Sequence, residues 1–443
     1  MNSSSHTQIV LSKINKFHRL TTSDSDITIK NAMQEILHLW PEVLAAIDQA
    51  TDDDELFTLN ISRAVLTQVF TIILSKDFFN KDHLLVREIF FSCFNILVNH
   101  AYIFKTTNST PRTIFIDSNV RLLMKMITSI TSLVKFQNDD FSNIDDQQLF
   151  IAMREHIDQD CKHDNLTDGI ISLIWNLSDR TILVPLFLNT DYAYSVIEWI
   201  KTRETKFRDD KLNAPIHILH NLSRHDDGIK QLNIHNALQV IEDIKIESNK
   251  YDDPDDMTIH IAMIRALLTD INQIKIDSSS YSNQILNMII QLCIDAAKNE
   301  RYRYNGSHIS EPLTVLVKLF YNDELLHNSF CNNETNSSSS SSNIQSLIEL
   351  LVSLLVKFYP KINLDNDMLE NYTCVVILNL FWLISNHEKY HQIIRNHEQL
   401  MDIIKRAIYD EENFIDTFMP RTMKSIKQSA NDILKNLNSE NLI

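Results

Sequence analysis

Residues 174–188 read IWNLSDRTILVPLFL, and the stretches HILHNLSRHDDGIKQL at 217–232 and AMIRALLTDINQI at 262–274 repeat their pattern. In each stretch, apolar residues recur at the three- and four-residue spacing of an amphipathic helix. One column of the alignment advances by 45 residues at each step and holds Asn176, Asn221 and Ala266. Repeats of about 40–47 residues are typical of helical solenoids, in which each repeat buries its apolar face by stacking on its neighbours. The sequence therefore predicts a stacked all-α repeat protein.

The pattern returns near the end of the chain, at residues 381–404. This segment aligns without gaps with the second stretch, so that Trp382 falls in the column of His220 and Ser385 in that of Ser223. A leucine takes the place of the column asparagine. The repeats are therefore degenerate, but they extend into the C-terminal part of the chain.

Composition favours helices over strands. The 443 residues include only 3 glycines and 8 prolines, the two residue types that break helices and turn chains. No convincing run of apolar residues alternates with the two-residue period of a strand. Further helical stretches are predicted at 27–40, 41–50, 55–75, 83–104, 119–137 and 145–159, with Pro41 separating the first two.

Polar segments, rather than glycines, divide the chain. They lie around Pro111, around Pro254 and, most clearly, at NNETNSSSSSSN, residues 332–343. Such a composition buries too little apolar surface to offset the entropy of ordering, so we predict a disordered loop at 332–343. The predicted segments are degenerate helical repeats at 1–160, clear repeats at 161–331, the loop at 332–343, and further repeats with a capping helix at 344–443.

Charge and cysteine usage limit the classes of partner and compartment. The net charge of −17 disfavours nucleic acid, because phosphate binding needs clustered lysine and arginine. The five cysteines form no CxxC pair, which points to a reducing compartment rather than to a disulfide framework. No stretch of 18 uncharged apolar residues indicates a membrane span. We therefore expect a cytoplasmic protein whose partners are neutral or basic polypeptide segments.

The WNLS stretch Trp175–Ser178 and the HNLS stretch His220–Ser223 resemble the third helix of armadillo repeats. The resemblance is strongest over 165–270 and weaker over 310–435. It implies an armadillo-like right-handed superhelix whose third helices line a concave groove for partner segments. The implied function is a protein–protein interaction scaffold or adaptor, not an enzyme. Ala266 departs from the family pattern, and the glycine between the first two helices of most armadillo repeats is nearly absent.

A narrower resemblance concerns residues 173–200 and the closing segment 421–438. They look like the armadillo module that precedes a Toll/interleukin-1-receptor (TIR) type domain in some multidomain proteins. In that family the armadillo part can restrain an NAD-cleaving partner domain. The resemblance thus implies a regulatory, autoinhibitory role with a TIR-type domain as partner. Residues 1–443 contain no β-rich runs that would form the effector domain itself.

The candidate partner site is the asparagine column and its neighbours. A carboxamide donates and accepts hydrogen bonds at once, so Asn176 and Asn221 on one face could pair with the N–H and C=O groups of an extended peptide. The alternative is that each asparagine caps or bonds neighbouring helix backbone within its own repeat. Trp175 is either groove wall or core. Arg180 and Arg224 either supply charge at the groove rim or form surface salt bridges.

A second candidate comes from another functional class. His387-Glu388-Lys389-Tyr390-His391 matches the HExxH pattern, and His397 falls at its third-ligand position. On one helix, His387 and His391 would share a face and could bind zinc, with Glu388 as general base of a hydrolase.

Two features of the sequence oppose this hypothesis. Ile394 stands where the extended motif has glycine, and a β-branched side chain resists the left-handed conformation of that turn. His387 also aligns with His225, at a polar junction between repeats, where a break would separate the two histidines. We therefore predict no metal and no cofactor, and keep the zinc hydrolase as the alternative hypothesis.

Overall fold

Most of the described residues form helices, as the helical spacing of the apolar residues predicts. The computed structural model describes residues 3–50, 53–79, 81–105, 111–134, 136, 140–141, 144–159, 165–207, 211, 213–244, 254–276, 280–304, 307–331, 343–359, 368–409 and 420–438. Within these residues the regular structure is helical, apart from one two-stranded hairpin. The prediction of an all-α protein is confirmed.

The chain divides into two units. Unit 1 comprises residues 1–240 with 247–252, and unit 2 comprises residues 241–246 with 253–443. The predicted segment boundaries follow the regularity of the repeats rather than these units, and they stay predictions.

Unit 1 is built from eleven α-helices within its described residues. These are α1 (Ser3–Asn15), α2 (Asp26–Gln49), α3 (Asp53–Leu74), α4 (His83–Asn99), α5 (Pro111–Ile130), α6 (Ile144–Asp158), α7 (Asn165–Ser178), α8 (Val184–Asn189), α9 (Tyr192–Lys206), α10 (Ala214–Ser223) and α11 (Asp226–Ile234). Short 3-10 helices occupy Lys16–Arg19, Ala101–Lys105, Thr131–Leu133 and Thr181–Leu183. A further helix, α12 (Ala237–Glu242), runs across the boundary between the units.

Unit 2 contains the remaining helices and the hairpin. The helices are α13 (Pro254–Leu268), α14 (Ile271–Ile276), α15 (Ser280–Ala297), α16 (Ser310–Leu319), α17 (Asp323–Cys331), α18 (Asn343–Phe358), α19 (Met368–Ser385), α20 (His391–Asn396), α21 (Glu398–Tyr409) and α22 (Pro420–Asn438). The antiparallel hairpin pairs β1 (Arg303–Tyr304) with β2 (Ser307–His308), and a 3-10 helix spans Glu388–Tyr390.

One series of helices in each unit packs in chain order, each on the next. In unit 1 the series is α2, α5, α7 and α10, and in unit 2 it is α13, α16, α19 and α22. We call these the row helices. The remaining helices precede, separate or follow the row helices in sequence. Because successive repeats stack on one another, the predicted solenoid is confirmed within each unit.

The predicted break at Pro41 is wrong. Pro41 lies inside α2, which continues to Gln49. A proline inside a helix removes one hydrogen bond and crowds the preceding turn. Here Trp40 before it and Val43 after it are both fully buried, so the packing of both halves outweighs the local preference.

The two other prolines at predicted breaks each begin a helix, and the residues directly before them lie outside the described residues. Pro111 begins α5 and Pro254 begins α13. At the first helical position the missing N–H would have no partner within the helix, so proline is favoured there. The helix predicted from residue 119 therefore starts earlier.

Three further features can be compared with the sequence analysis: the loop at 332–343, the hairpin and the membrane spans. The predicted loop at 332–343 lies outside the described residues except for Asn343, which begins α18. The hairpin was not predicted, because two residues per strand are too few to show an alternating pattern. No single described helix has both the length and the hydropathy of a membrane span, although α7 and the segment Thr181–Asn189, bent by 106°, meet that composition as a pair.

Candidate functional site

The five predicted site residues lie together where α7 and α10, two successive row helices of unit 1, end side by side. The indole ring of Trp175 on α7 stacks on the imidazole of His217 on α10, with ring centroids 4.4 Å apart and ring planes 9° apart. Stacking of consecutive repeats thus brings equivalent helix ends into contact, as the 45-residue spacing predicts.

Asn221 ties α10 to the preceding repeat. Its side chain is only 5% exposed, and its Nδ2 donates to Ser178 Oγ over 2.9 Å and to the Trp175 carbonyl oxygen over 3.4 Å. All ten residues of α10 are buried, and a buried amide must find partners inside the protein. Asn221 therefore bonds the preceding repeat, whereas the predicted alternative to peptide contact was bonding within its own repeat.

Asn176 and Trp175 remain accessible. Asn176 is half-buried, and its Nδ2 donates to the Ser172 carbonyl oxygen one turn earlier on α7, over 2.9 Å. Trp175 is likewise half-buried, so it is both packed against His217 and open on one side. A partner could therefore reach both of these side chains.

The two arginines of the predicted site share one carboxylate. Arg224 Nη2 donates to Asp179 Oδ1 over 2.8 Å, and Arg180 Nη2 lies 3.9 Å from Asp179 Oδ2. The Arg224 side chain is 16% exposed and that of Asp179 is 37% exposed. The charge-assisted bond of Arg224 links the two repeats. Both arginines thus form salt bridges with Asp179, which was the predicted alternative to a role at the groove rim.

His225 follows this ion pair directly and precedes the first residue of α11. Burial, and then the positive charge of the neighbouring Arg224, lower the pKa of His225 to about 4. The imidazole is therefore neutral at physiological pH.

Acid is expected to weaken unit 1 through this histidine. Its ordinary pKa is about 6.5 in an unfolded chain, so between pH 6.5 and about 4 the unfolded state binds a proton that the folded state does not. The contribution of His225 to the free energy of unfolding is then largest above pH 6.5. It falls with decreasing pH by up to about 1.4 kcal/mol per pH unit. Urea unfolding of the wild type and of His225→Gln at several pH values measures this. Identical pH dependence in the two proteins would contradict it.

The same junction recurs in unit 2, between α19 and α22. Asn436 Nδ2 donates to Ser385 Oγ over 3.0 Å, as Asn221 does to Ser178. In both units the serine hydroxyl in turn donates to the carbonyl oxygen three residues earlier, which is Trp175 for Ser178 and Trp382 for Ser385. The sequence carries a signal for Asn436, because Asn436-Leu437 repeats the Asn221-Leu222 pair. Asn436 was nevertheless not among the predicted site residues.

The four tryptophans of the chain fall into two classes. Trp40 and Trp199 are fully buried. Trp175 and Trp382, which share the repeat column of His220, are half-buried. The accessible tryptophans are thus the two that lie at the ends of row helices, one in each unit.

The HExxH segment does not form one helix. His387 has extended backbone angles and precedes the 3-10 helix Glu388–Tyr390, whereas His391 begins α20. The junction therefore breaks the helix, which is the condition under which the two histidines lose a common helical face. The three histidines contact different groups. His391 lies 2.8 Å from the Ser385 carbonyl oxygen. His387 lies 3.5 Å from Asp323 Oδ1, and His397 lies 3.6 Å from Glu349 Oε1. Across the described parts of the chain, no three His, Cys, Asp or Glu side chains are placed to hold a metal ion together.

Comparisons with known proteins give no sequence match and structural similarities at low sequence identity. No protein-family model matches the sequence, and no curated protein matches it. Among solved structures, one from a study of the cadherin–β-catenin interaction and its phosphorylation switch is 14% identical, with 98% of this chain and 80% of that chain covered and a TM-score of 0.47. A complex of SYS-1 with POP-1 is 11% identical, with 99% and 86% covered and a TM-score of 0.29. An engineered protein is 10% identical, with 99% and 96% covered and a TM-score of 0.40. These values are too low to place the chain in a family.

Proposed function

We propose that this protein is a non-catalytic interaction scaffold that binds segments of partner proteins on its row helices. The partner surface of unit 1 is the accessible end of α7, with Trp175 and Asn176. The partner surface of unit 2 is the corresponding part of α19, with Trp382.

The different burial of the four tryptophans supports this proposal most directly. A tryptophan side chain gains free energy from burial, and Trp40 and Trp199 are fully buried. Trp175 and Trp382 keep part of their surface open although both lie on helices with large buried faces. Tryptophan is enriched among the residues that contribute most to protein–protein binding. Two accessible tryptophans in the same repeat column are therefore what a scaffold with repeated binding positions would carry.

The asparagines have two different roles in this proposal. Asn221 and Asn436 hold neighbouring repeats together, which fixes the positions of the tryptophans. Asn176 is the amide that a bound segment contacts in unit 1. A cytoplasmic location and a neutral or basic partner are parts of the proposal, whereas control of a TIR-type domain and zinc hydrolysis have no particular contact in their favour.

Peptide selection tests the function without knowledge of the partner. A random peptide library displayed on phage is selected against the full chain, and the affinities of the selected peptides are measured by fluorescence anisotropy. We expect Trp175→Ala or Trp382→Ala to weaken each peptide at least about tenfold, as loss of an interface tryptophan typically does.

The matched control is Tyr102→Ala, which removes a 51% exposed aromatic side chain outside the row helices. It should leave the affinities unchanged, and circular dichroism should show all variants folded. If folded Trp175→Ala and Trp382→Ala variants bind every selected peptide like the wild type, the row helices are not the partner surface.

A further inference from the structure

A cavity lies in unit 2, among α12, α13 and α15. Its volume is about 260 Å³, and every described residue that lines it belongs to unit 2. One water molecule takes roughly 30 Å³, and well-packed protein interiors keep few voids larger than that. An apolar cavity of about 150 Å³ accepts a benzene ring, whereas sites for drug-sized ligands begin at about 300 Å³. The volume therefore fits a molecule of about two rings.

The walls of this cavity are mainly apolar. Of the ten described residues that line it, six have apolar side chains, namely Ile241, Ile244, Ile261, Ala262, Ile285 and Met288. On α13, the lining residues follow Thr258 at three, four and seven positions, which places them on one side of the helix. A ligand in the cavity therefore contacts branched aliphatic side chains and the flexible side chain of Met288, which can adapt to its shape.

The charged part of the lining is one ion pair. Arg265 Nη2 of α13 lies 3.2 Å from Glu242 Oε1 of α12, and both side chains are 35% exposed. The other two polar lining residues, Thr258 and Gln284, are uncharged. The charges of the lining residues therefore cancel. A ligand with a net charge would lose hydration here, and it would have to separate the pair to gain a counter-charge. The cavity thus favours an uncharged ligand.

The same ion pair favours a hydrogen-bond donor on the ligand. A carboxylate accepts hydrogen bonds at both of its oxygens, and the contact with Arg265 involves Oε1 of Glu242. An N–H or O–H group can therefore bond to Glu242 without displacing Arg265.

We propose that this cavity binds an uncharged organic molecule of about two rings that carries an N–H or O–H group. The rings pack among the isoleucines and Met288, and the donor bonds to the carboxylate of Glu242. This site goes beyond the proposed scaffold function and does not depend on it, because neither Trp175 nor Trp382 lines the cavity.

Three probes of similar shape test the charge of the ligand, with the full chain as receptor. At neutral pH, 2-naphthol is uncharged and carries an O–H group, 2-naphthoate is an anion, and 2-naphthylmethylamine is a cation. Isothermal titration calorimetry measures their affinities. We expect 2-naphthol to bind and both ions to bind at least about tenfold more weakly. Absence of 2-naphthol binding at about 1 mM, or an ion that binds as tightly as 2-naphthol, would overturn the proposal.

Variants that fill the cavity test its location. Ile261→Trp and Met288→Trp place an indole ring there from α13 and α15, and each should weaken 2-naphthol binding at least about tenfold. Ile259→Trp is the matched control, because Ile259 is half-buried on α13 but outside the lining. It should change the affinity less than about twofold. Circular dichroism checks that the variants are folded. A folded filled variant that binds 2-naphthol like the wild type would place the site elsewhere and refute the proposal.

Glu242→Gln tests the role of the ion pair. It removes the carboxylate beside Arg265, so the lining gains a net positive charge, and 2-naphthoate should bind at least about tenfold more tightly than to the wild type. Asp243→Asn is the matched control, because it removes the same charge one residue away and outside the lining. It should change 2-naphthoate binding less than about twofold. An equal response of the two variants, large or absent, would show that the pair does not set the charge of the ligand and would refute the uncharged assignment.

Discussion

Gly228→Ala is expected to destabilise unit 1 by at least about 2–3 kcal/mol, because the new methyl group has no room. A Cβ built on Gly228 in α11 would overlap the backbone carbonyl oxygen of Leu222 and lie 2.9 Å from its carbonyl carbon. Leu222 belongs to α10, whose residues are all buried. Neither backbone can move without disturbing the junction at Ser223 and Asn221. Urea unfolding monitored by circular dichroism gives the change in free energy.

Gly169→Ala is the matched control, since it makes the same change in another helix. There the nearest atom to the built Cβ is the terminal Cε of Met124 at 2.7 Å, the mobile end of a flexible side chain. Alanine also favours helix over glycine by about 1 kcal/mol. We therefore expect Gly169→Ala to be neutral or slightly stabilising. Equal losses in the two variants would contradict the steric explanation for Gly228.

Asp158→Ala is expected to destabilise unit 1 by about 2–4 kcal/mol, because one carboxylate serves several donors. Asp158 Oδ1 accepts from the Trp199 indole N–H over 2.7 Å, and Oδ2 accepts from Ser195 Oγ over 3.1 Å. Arg154 Nε lies 3.6 Å from the same Oδ2. Trp199 is fully buried, so its N–H would remain without an acceptor, which is the main source of the loss.

Two variants check this attribution by the same unfolding measurement. Asp158→Asn keeps an oxygen for the indole N–H and loses only the charge, so it should cost about half as much as alanine. Glu155→Ala removes a carboxylate 4.0 Å from Arg154, and it should change stability by less than about 0.5 kcal/mol, as surface ion pairs usually do. A loss for Asp158→Asn as large as that for Asp158→Ala would show that the charge, not the indole bond, matters.

The repeat architecture could be predicted wherever a local sequence motif survives. The N-L-S pattern identified α7 and α10, and the aligned serine identified α19. The earlier row helices α2 and α5, and α16 in unit 2, lack this motif, and they pack by apolar faces that many sequences could supply. Pro41 shows the same limit in another way, because burial on both sides of it depends on helices distant in sequence.

The sequence predicted where the residues of the candidate site lie in the repeats, but not which of them are buried. The spacing correctly placed Asn176 and Asn221 at equivalent helix ends. It could not reveal that α10 is buried throughout while α7 stays accessible, because burial depends on which helices cover each end. For the same reason Asp179, which pairs with Arg224, was absent from the prediction, although it lies directly after the N-L-S motif.

Binding of partner segments on the row helices at Trp175 and Trp382 is the central claim. Hydrogen-exchange mass spectrometry of the full chain, with and without a saturating phage-selected peptide, tests this claim most directly. We expect slower exchange on binding in fragments that cover the end of α7 or in those that cover α19, and no change in α1, α3 or α21. Protection confined to helices outside the two rows would contradict the claim.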